Sequence, residues 1–159
     1  MKILKEERVV ALNDAIALCL DAANLYETAA EQCEHPAFAE ALRALAGRRR
    51  ASAEALAAEV RRLDELPSDA PQEERQLLEQ AAQHLKASLA EATDEQIRED
   101  CRHKEEQIEA AAEEVLRHDL SEAAREAARP LARDAAPTLP ARPAPPCRTA
   151  APLLQCRPN

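Results

Sequence analysis

Between Val9 and Cys33 apolar residues recur at spacings of three and four without a break: Val9, Leu12, Ile16, Cys19, Ala23, Tyr26, Ala30 and Cys33. An α-helix of 3.6 residues per turn gathers such a series onto one face. That face is a bundle seam, and it requires other helices to cover it. The series stops ahead of Pro36, because the residue before a proline is pushed out of the α region. His35 is thereby left at a helix end, where its charged form favours the dipole. Composition supplies helical partners and little else. One Gly, one Phe, one Tyr and no Trp are too few for the turns and aromatic pairs of a sheet protein. Ala, Glu, Arg and Leu dominate instead, all strong helix formers. The expected class is all-α.

A second helix restarts at Pro36, a good first-turn residue, with Phe38, Leu42, Leu45, Leu56, Val60 and Leu63 as its stripe. So short a turn makes the first two helices antiparallel neighbours. Arg49 and Ser52 stand where the stripe calls for apolar residues, a local violation of the kind that marks a special position. "LPSDAPQEER" reads as a linker with Ser68 or Asp69 as a cap and Pro71 in a first turn. A third segment runs through Leu78, Ala81, Leu85 and Leu89. Thr93 with Gln96 offers a capping box that splits this helix. After it comes a seam of Ile97, Cys101, Lys104, Ile108, Ala111, Val115 and His118. A last helix starts near Ser121, with Ala124, Ala127 and Leu131, and Pro130 strains its middle.

From Pro137 onward the chain holds seven of the eleven prolines and no acid, so residues 137–159 are expected to be disordered. The composition of this stretch resembles GC-rich coding sequence read out of frame, which suggests a tail in place of a truncated last helix. Residues 1–136 form the expected domain. Net charge is −9, and the arginines at 142, 148 and 157 are the only charges after Pro137, so residues 1–136 carry −12. Such a field repels nucleic acid and anionic membrane, and "GRRR" at 47–50 is too short to reverse it. The start "MKILKEERVV" has no signal-peptide core, and no apolar run approaches the ~20 residues of a membrane span. The expected location is the cytoplasm, with the five cysteines as free thiols.

Three stretches in order, "VALNDAIALCLDAANLYETAAE", "LRALAGRRRASAEALAAEVRRL" and "REDCRHKEEQIEAAAEEVL", resemble an uncharacterised ferritin-like four-helix-bundle family of proteobacteria, best over residues 8–118. The resemblance implies an antiparallel ferritin-like bundle with a split third helix and a stress-associated role. Metal-bearing bundles of that kind take a Glu from two helices and Glu-x-x-His from the other two. Carried onto this chain, the first-helix Glu matches Glu27 and the third-helix Glu matches Glu105. Neither Glu-x-x-His is present, and Arg48 stands where relatives tend to carry an acid. Two of six ligands remain, so the metal site reads as degenerate and no cofactor is expected; Glu27 and Glu105 then read as polar positions flanking the seam, paired with Arg49 or Lys104 across the bundle. In the alternative, a di-iron or other divalent centre of ferroxidase type uses Glu27 and Glu105 with others from Glu31, Glu54 or Glu109.

Other chemistry is thin. Asp100 and His103 share one helical face beside the seam, and a solvated pair is the expected reading. Glu114 and His118 read as a helix-end pair. Cys19, Cys33 and Cys101 fall on seams, where a free thiol acts as a small hydrophobe. A single Gly rules out a phosphate-cradling loop. The expectation is a non-catalytic bundle that acts as a homo-oligomer or with a protein partner, away from nucleic acid and membrane.

Overall fold

The computed structural model describes residues 2–63 and 83–133, with side chains from Glu7 onward. The linker and cap at 64–71, Leu78 and Ala81 of the third segment, and the stretch 137–159 lie outside the described residues. Within them every element is a helix: α1 (Lys2–Gln32), α2 (Pro36–Arg62), α3 (helical over 83–90), α4 (Asp94–Leu116) and α5 (Glu122–Leu131). No strand occurs among the described residues.

The helix ends follow local chemistry. His35 has φ −98° and ψ 114°, the extended backbone that a following proline imposes, and Pro36 opens α2. Arg61 and Arg62 occupy the last turn of α2, where positive charge suits the dipole. The Thr93 hydroxyl accepts from the Gln96 N–H, and the Gln96 side chain accepts from the Thr93 N–H at 2.8 Å. This reciprocal box separates α3 from α4, as the sequence predicts. Ser121 caps α5 by accepting from the Ala124 N–H. Pro130 sits in the last turn of α5, not its middle, and the helix ends one residue later.

Contacts fix the directions. Arg8, Tyr26 and His35 reach Asp119, Glu105 and Asp94 in turn, so α1 and α4 are antiparallel. Arg49 meets Glu105 and Glu59 meets Ser121, so α2 runs parallel to α4. α1 packs on α2 and α4, and α5 packs on the same two helices. Tyr26, Phe38, Leu12, Leu42, Leu45, Leu56, Ile97 and Ile108 fill the interior, and Leu89 of α3 and Leu131 of α5 add to it. Alanines at 15, 22, 23, 29, 46, 112, 124 and 128 are also fully buried, which keeps the backbones close. Arg98 stacks its guanidinium over Phe38, 4.0 Å from the ring centroid.

Two seam assignments shift. In α4 the buried row is Ile97, Cys101, Glu105, Ile108, Ala112 and Val115, with Lys104 and Ala111 only half-buried. A three-four series fits either register on paper, and the packed helix chose the one that brings a carboxylate inside. In α1, Glu7–Gln32 proves long and apolar enough to cross a membrane, against the expectation that no run approaches a span. Of its best window, 44 % is buried inside the protein.

Candidate functional site

At mid-height three polar side chains from three helices meet in the core. Tyr26 of α1 sits on the seam, Arg49 of α2 interrupts an apolar stripe, and Glu105 of α4 lies one turn after Cys101. Tyr26 is inaccessible, Glu105 is 1 % exposed and Arg49 6 %. Isolated burial of either charge would cost far more than the fold can sustain, so each must be paired. They pair with each other. Arg49 donates from Nε to Glu105 Oε1 at 2.9 Å and from Nη2 to Oε2, the bidentate fork that a planar guanidinium fits. Tyr26 Oη donates to Glu105 Oε1 at 2.5 Å.

The cluster is one cation, one anion and one neutral phenol, with zero net charge. Burial, then the Glu105 hydrogen bond and charge, raise the Tyr26 pKa far above the usual phenol value. Burial opposes the Arg49 cation, but the hydrogen bonds and charge of Glu105 outweigh it and hold the guanidinium protonated. Cys19 and Cys101 lie in the same interior. Burial pushes Cys19 up to about 11 and Cys101 up to about 12. Both are thiols at neutral pH, without the thiolate that a nucleophile or a redox sensor requires.

Glu27 and Glu105 each pair with a different arginine of α2. Glu27 is half-exposed and is held by the neighbouring arginine: Arg50 donates from Nη1 to Oε1 and from Nη2 to Oε2, the second at 2.7 Å. That hydrogen bond holds the Glu27 carboxyl below its usual range. Arg48, at the position where an acid is implied, points outward and is exposed. Of the alternative ligands, Glu31 pairs with Lys86 and Glu54 with Arg61, both exposed, and Glu109 is half-buried. No group of three or more His, Cys, Asp and Glu side chains is placed to hold a metal among the described residues. Both oxygens of Glu105 are engaged by the Arg49 guanidinium.

The histidines sit at the periphery. His35 Nδ1 is 2.6 Å from Asp94 Oδ2 and ties the α1–α2 turn to the start of α4. It borders an open groove of about 530 Å³ lined by Gln32, Glu34, Thr93, Glu95 and Arg98, away from the buried cluster. His103 faces Glu106 at 3.8 Å and Gln107 at 3.2 Å, in place of the expected Asp100. His118 pairs with Glu114 at 3.6 Å, as expected. Cys19 and Cys101 are buried, while Cys33 is half-exposed at the end of its seam.

Glu59 is a second buried acid that the sequence reading overlooks. It is 3 % exposed and accepts from Arg62 Nε and Nη2 at 2.8 Å each, from Ser121 N at 3.1 Å and from Ser121 Oγ at 2.7 Å. The Arg62 hydrogen bonds, with those from Ser121, outweigh burial and lower its carboxyl to about 2. Glu59 therefore clamps the cap of α5 onto the last turn of α2. Its position between Leu56 and Val60 was the only signal available.

Residues 7–118 match the family described as a domain of unknown function, DUF2383. No curated protein and no solved structure matches the chain. The match covers most of the sequence, including α1 from residue 7, all of α2 and α4, and the three residues of the buried cluster. The chain belongs to this family.

Proposed function

We propose that this DUF2383 protein is a non-catalytic, ferritin-like four-helix bundle that acts by self-association, with an internal ion pair in the place of a metal. The closed ring of contacts among α1, α2, α5 and α4 supports the bundle reading, with the third helix split at Thr93. One observation carries the non-catalytic part: the Arg49 guanidinium satisfies both oxygens of Glu105 within the core. In a carboxylate-bridged site a metal would supply that positive charge. Here a side chain supplies it, and it has no accessible face toward a substrate. A metal on Glu27 and Glu105 would have to displace two bidentate arginines, one of them buried.

Self-association is supported by the surface. α1 is apolar beyond what its buried face needs: Val10 is 57 % exposed and Leu20 43 % exposed. A helix apolar over much of its circumference calls for cover on more than one side. The proposal places the protein in the cytoplasm, where the three described cysteines stay reduced. Light scattering on the full chain over a hundredfold range of concentration tests the reading. Mass should rise with concentration toward a multiple of the chain mass, and a monomer throughout would defeat it.

A further inference from the structure

Gly47 is the only glycine in the chain, and it lies mid-way along α2. Glycine weakens a helix interior, so a reason to retain it is expected in close packing. Within the chain there is none: a Cβ at Gly47 would meet nothing within 4 Å, and the position is exposed. Its neighbours on the outer face are small as well. At 100° per residue, Gly47, Ala51 and Ala44 fall about 40°, 80° and 100° from Arg43, and Arg48 about 140° from it. All five are exposed. The outer face of α2 is thus a low ridge with an arginine along each side, and neither Arg43 nor Arg48 makes an ion pair among the described residues.

The opposite shape lies on α1 and α4. Ala11, Ala17, Leu18 and Ala111 line a groove of about 400 Å³, with Asp14 and Asp21 along the α1 edge and Glu114 on the α4 edge. Asp14 and Asp21 are exposed and, among the described residues, in no ion pair. From Ala11 to Asp21 the groove is about 15 Å long, as is a stretch of ten residues on α2. A small ridge flanked by cations matches an apolar groove flanked by acids in shape, length and sign.

We infer that the α2 ridge centred on Gly47 of one copy docks into the Asp14–Asp21–Glu114 groove of a second copy. The inference rests on the self-association reading and names its interface. The groove cannot pair with itself, because that would set acid against acid. The ridge lies on the outer face of α2 and the groove between α1 and α4, on different faces of the bundle, so the contact is heterologous: each copy offers one ridge and one groove, and the assembly grows as a ring or an open chain. Gly47 lets the two backbones approach, and the arginines flank it to meet the acids on the groove edges.

Charge reversal on the full chain tests this. Asp14→Lys with Asp21→Lys, and separately Arg43→Glu with Arg48→Glu, alter exposed side chains only and leave the core intact, which the circular dichroism of each variant checks. Each double variant alone should self-associate at least tenfold more weakly than wild type. An equimolar mixture of the two should restore association, since each altered ridge then faces an altered groove. Raising salt from 0.05 to 0.5 M should weaken the wild-type assembly. A wild-type oligomer indifferent to both reversals, or a mixture without rescue, overturns this interface and leaves self-association standing. A wild-type monomer overturns both, whether the groove is filled by the chain's own basic stretch after Pro137 or left open.

Discussion

Arg49 and Arg50 are neighbours in sequence, and each grips a carboxylate with two nitrogens. Arg49 does so in the core, with side chains 7 % and 1 % exposed across the pair, and Arg50 does so at the surface, at 46 % and 45 %. The chemistry is the same and the surroundings differ, so the two pairs should differ several-fold in what they contribute. A surface pair trades hydration and side-chain freedom for a modest Coulomb gain. A buried pair is a commitment: once made, neither partner can be removed alone. The contrast follows from one helical step, because adjacent residues on α2 point about 100° apart.

The largest effect should come from breaking the buried pair on one side. Arg49→Ala leaves the Glu105 carboxylate in the core without a cation, with only the Tyr26 hydroxyl donating to it, and should cost about 3–5 kcal/mol in chemical denaturation. The contrast sharpens when the whole cluster is removed. Tyr26→Phe with Arg49→Met and Glu105→Leu leaves no orphaned group, and stability should return to near wild type or above. If the single variant costs as little as the triple, the cluster is not the buried unit described.

Glu59 should come next. Glu59→Ala removes the acceptor for Arg62 and for the Ser121 cap and should cost about 2 kcal/mol. The same contact has a pH signature. Its native carboxyl lies near 2 and its ordinary value is 4.5, so the unfolded state binds the proton first as pH falls. The stability from Glu59 is present above pH 4.5 and is lost between there and pH 2. The fall in stability over that window should be smaller in the Ala variant. Equal slopes in the two proteins would show that other carboxylates carry the acid transition.

Smallest is the surface pair. Arg50→Ala or Glu27→Ala should change stability by less than about 1 kcal/mol, and by less still in high salt. A cost near that of Arg49→Ala would erase the distinction between the two arginines.

Much of this fold was legible in the residues. The seam from Val9 to Cys33, the break at Pro36, the box at Thr93 and the cap at Ser121 each rest on local rules, and each stands in the structure. The violation at Arg49 was visible as well, since an arginine in an apolar stripe is conspicuous. Its partner was legible only as one of two acids, Glu27 or Glu105. The α4 series of threes and fours admitted Lys104 as readily as Glu105, and only packing against α1 and α2 selects the register. Glu27 was legible as an acid at a motif position, but which way it faced depended on that same packing. Tyr26 was read as core and is core; that its hydroxyl needs an acceptor was the hint that Glu105 faces it. Glu59 remained hidden because its partner Ser121 lies 62 residues away.

Under the proposed function, the positive charge at Glu105 is that of Arg49, in the place of a metal. Titration of the native full-length protein with iron(II) in air, followed by absorbance and by metal analysis after desalting, tests it most directly. No saturable uptake is expected, with wild type and Glu105→Gln giving the same trace. Stoichiometric, tight uptake that disappears in Glu105→Gln would contradict it.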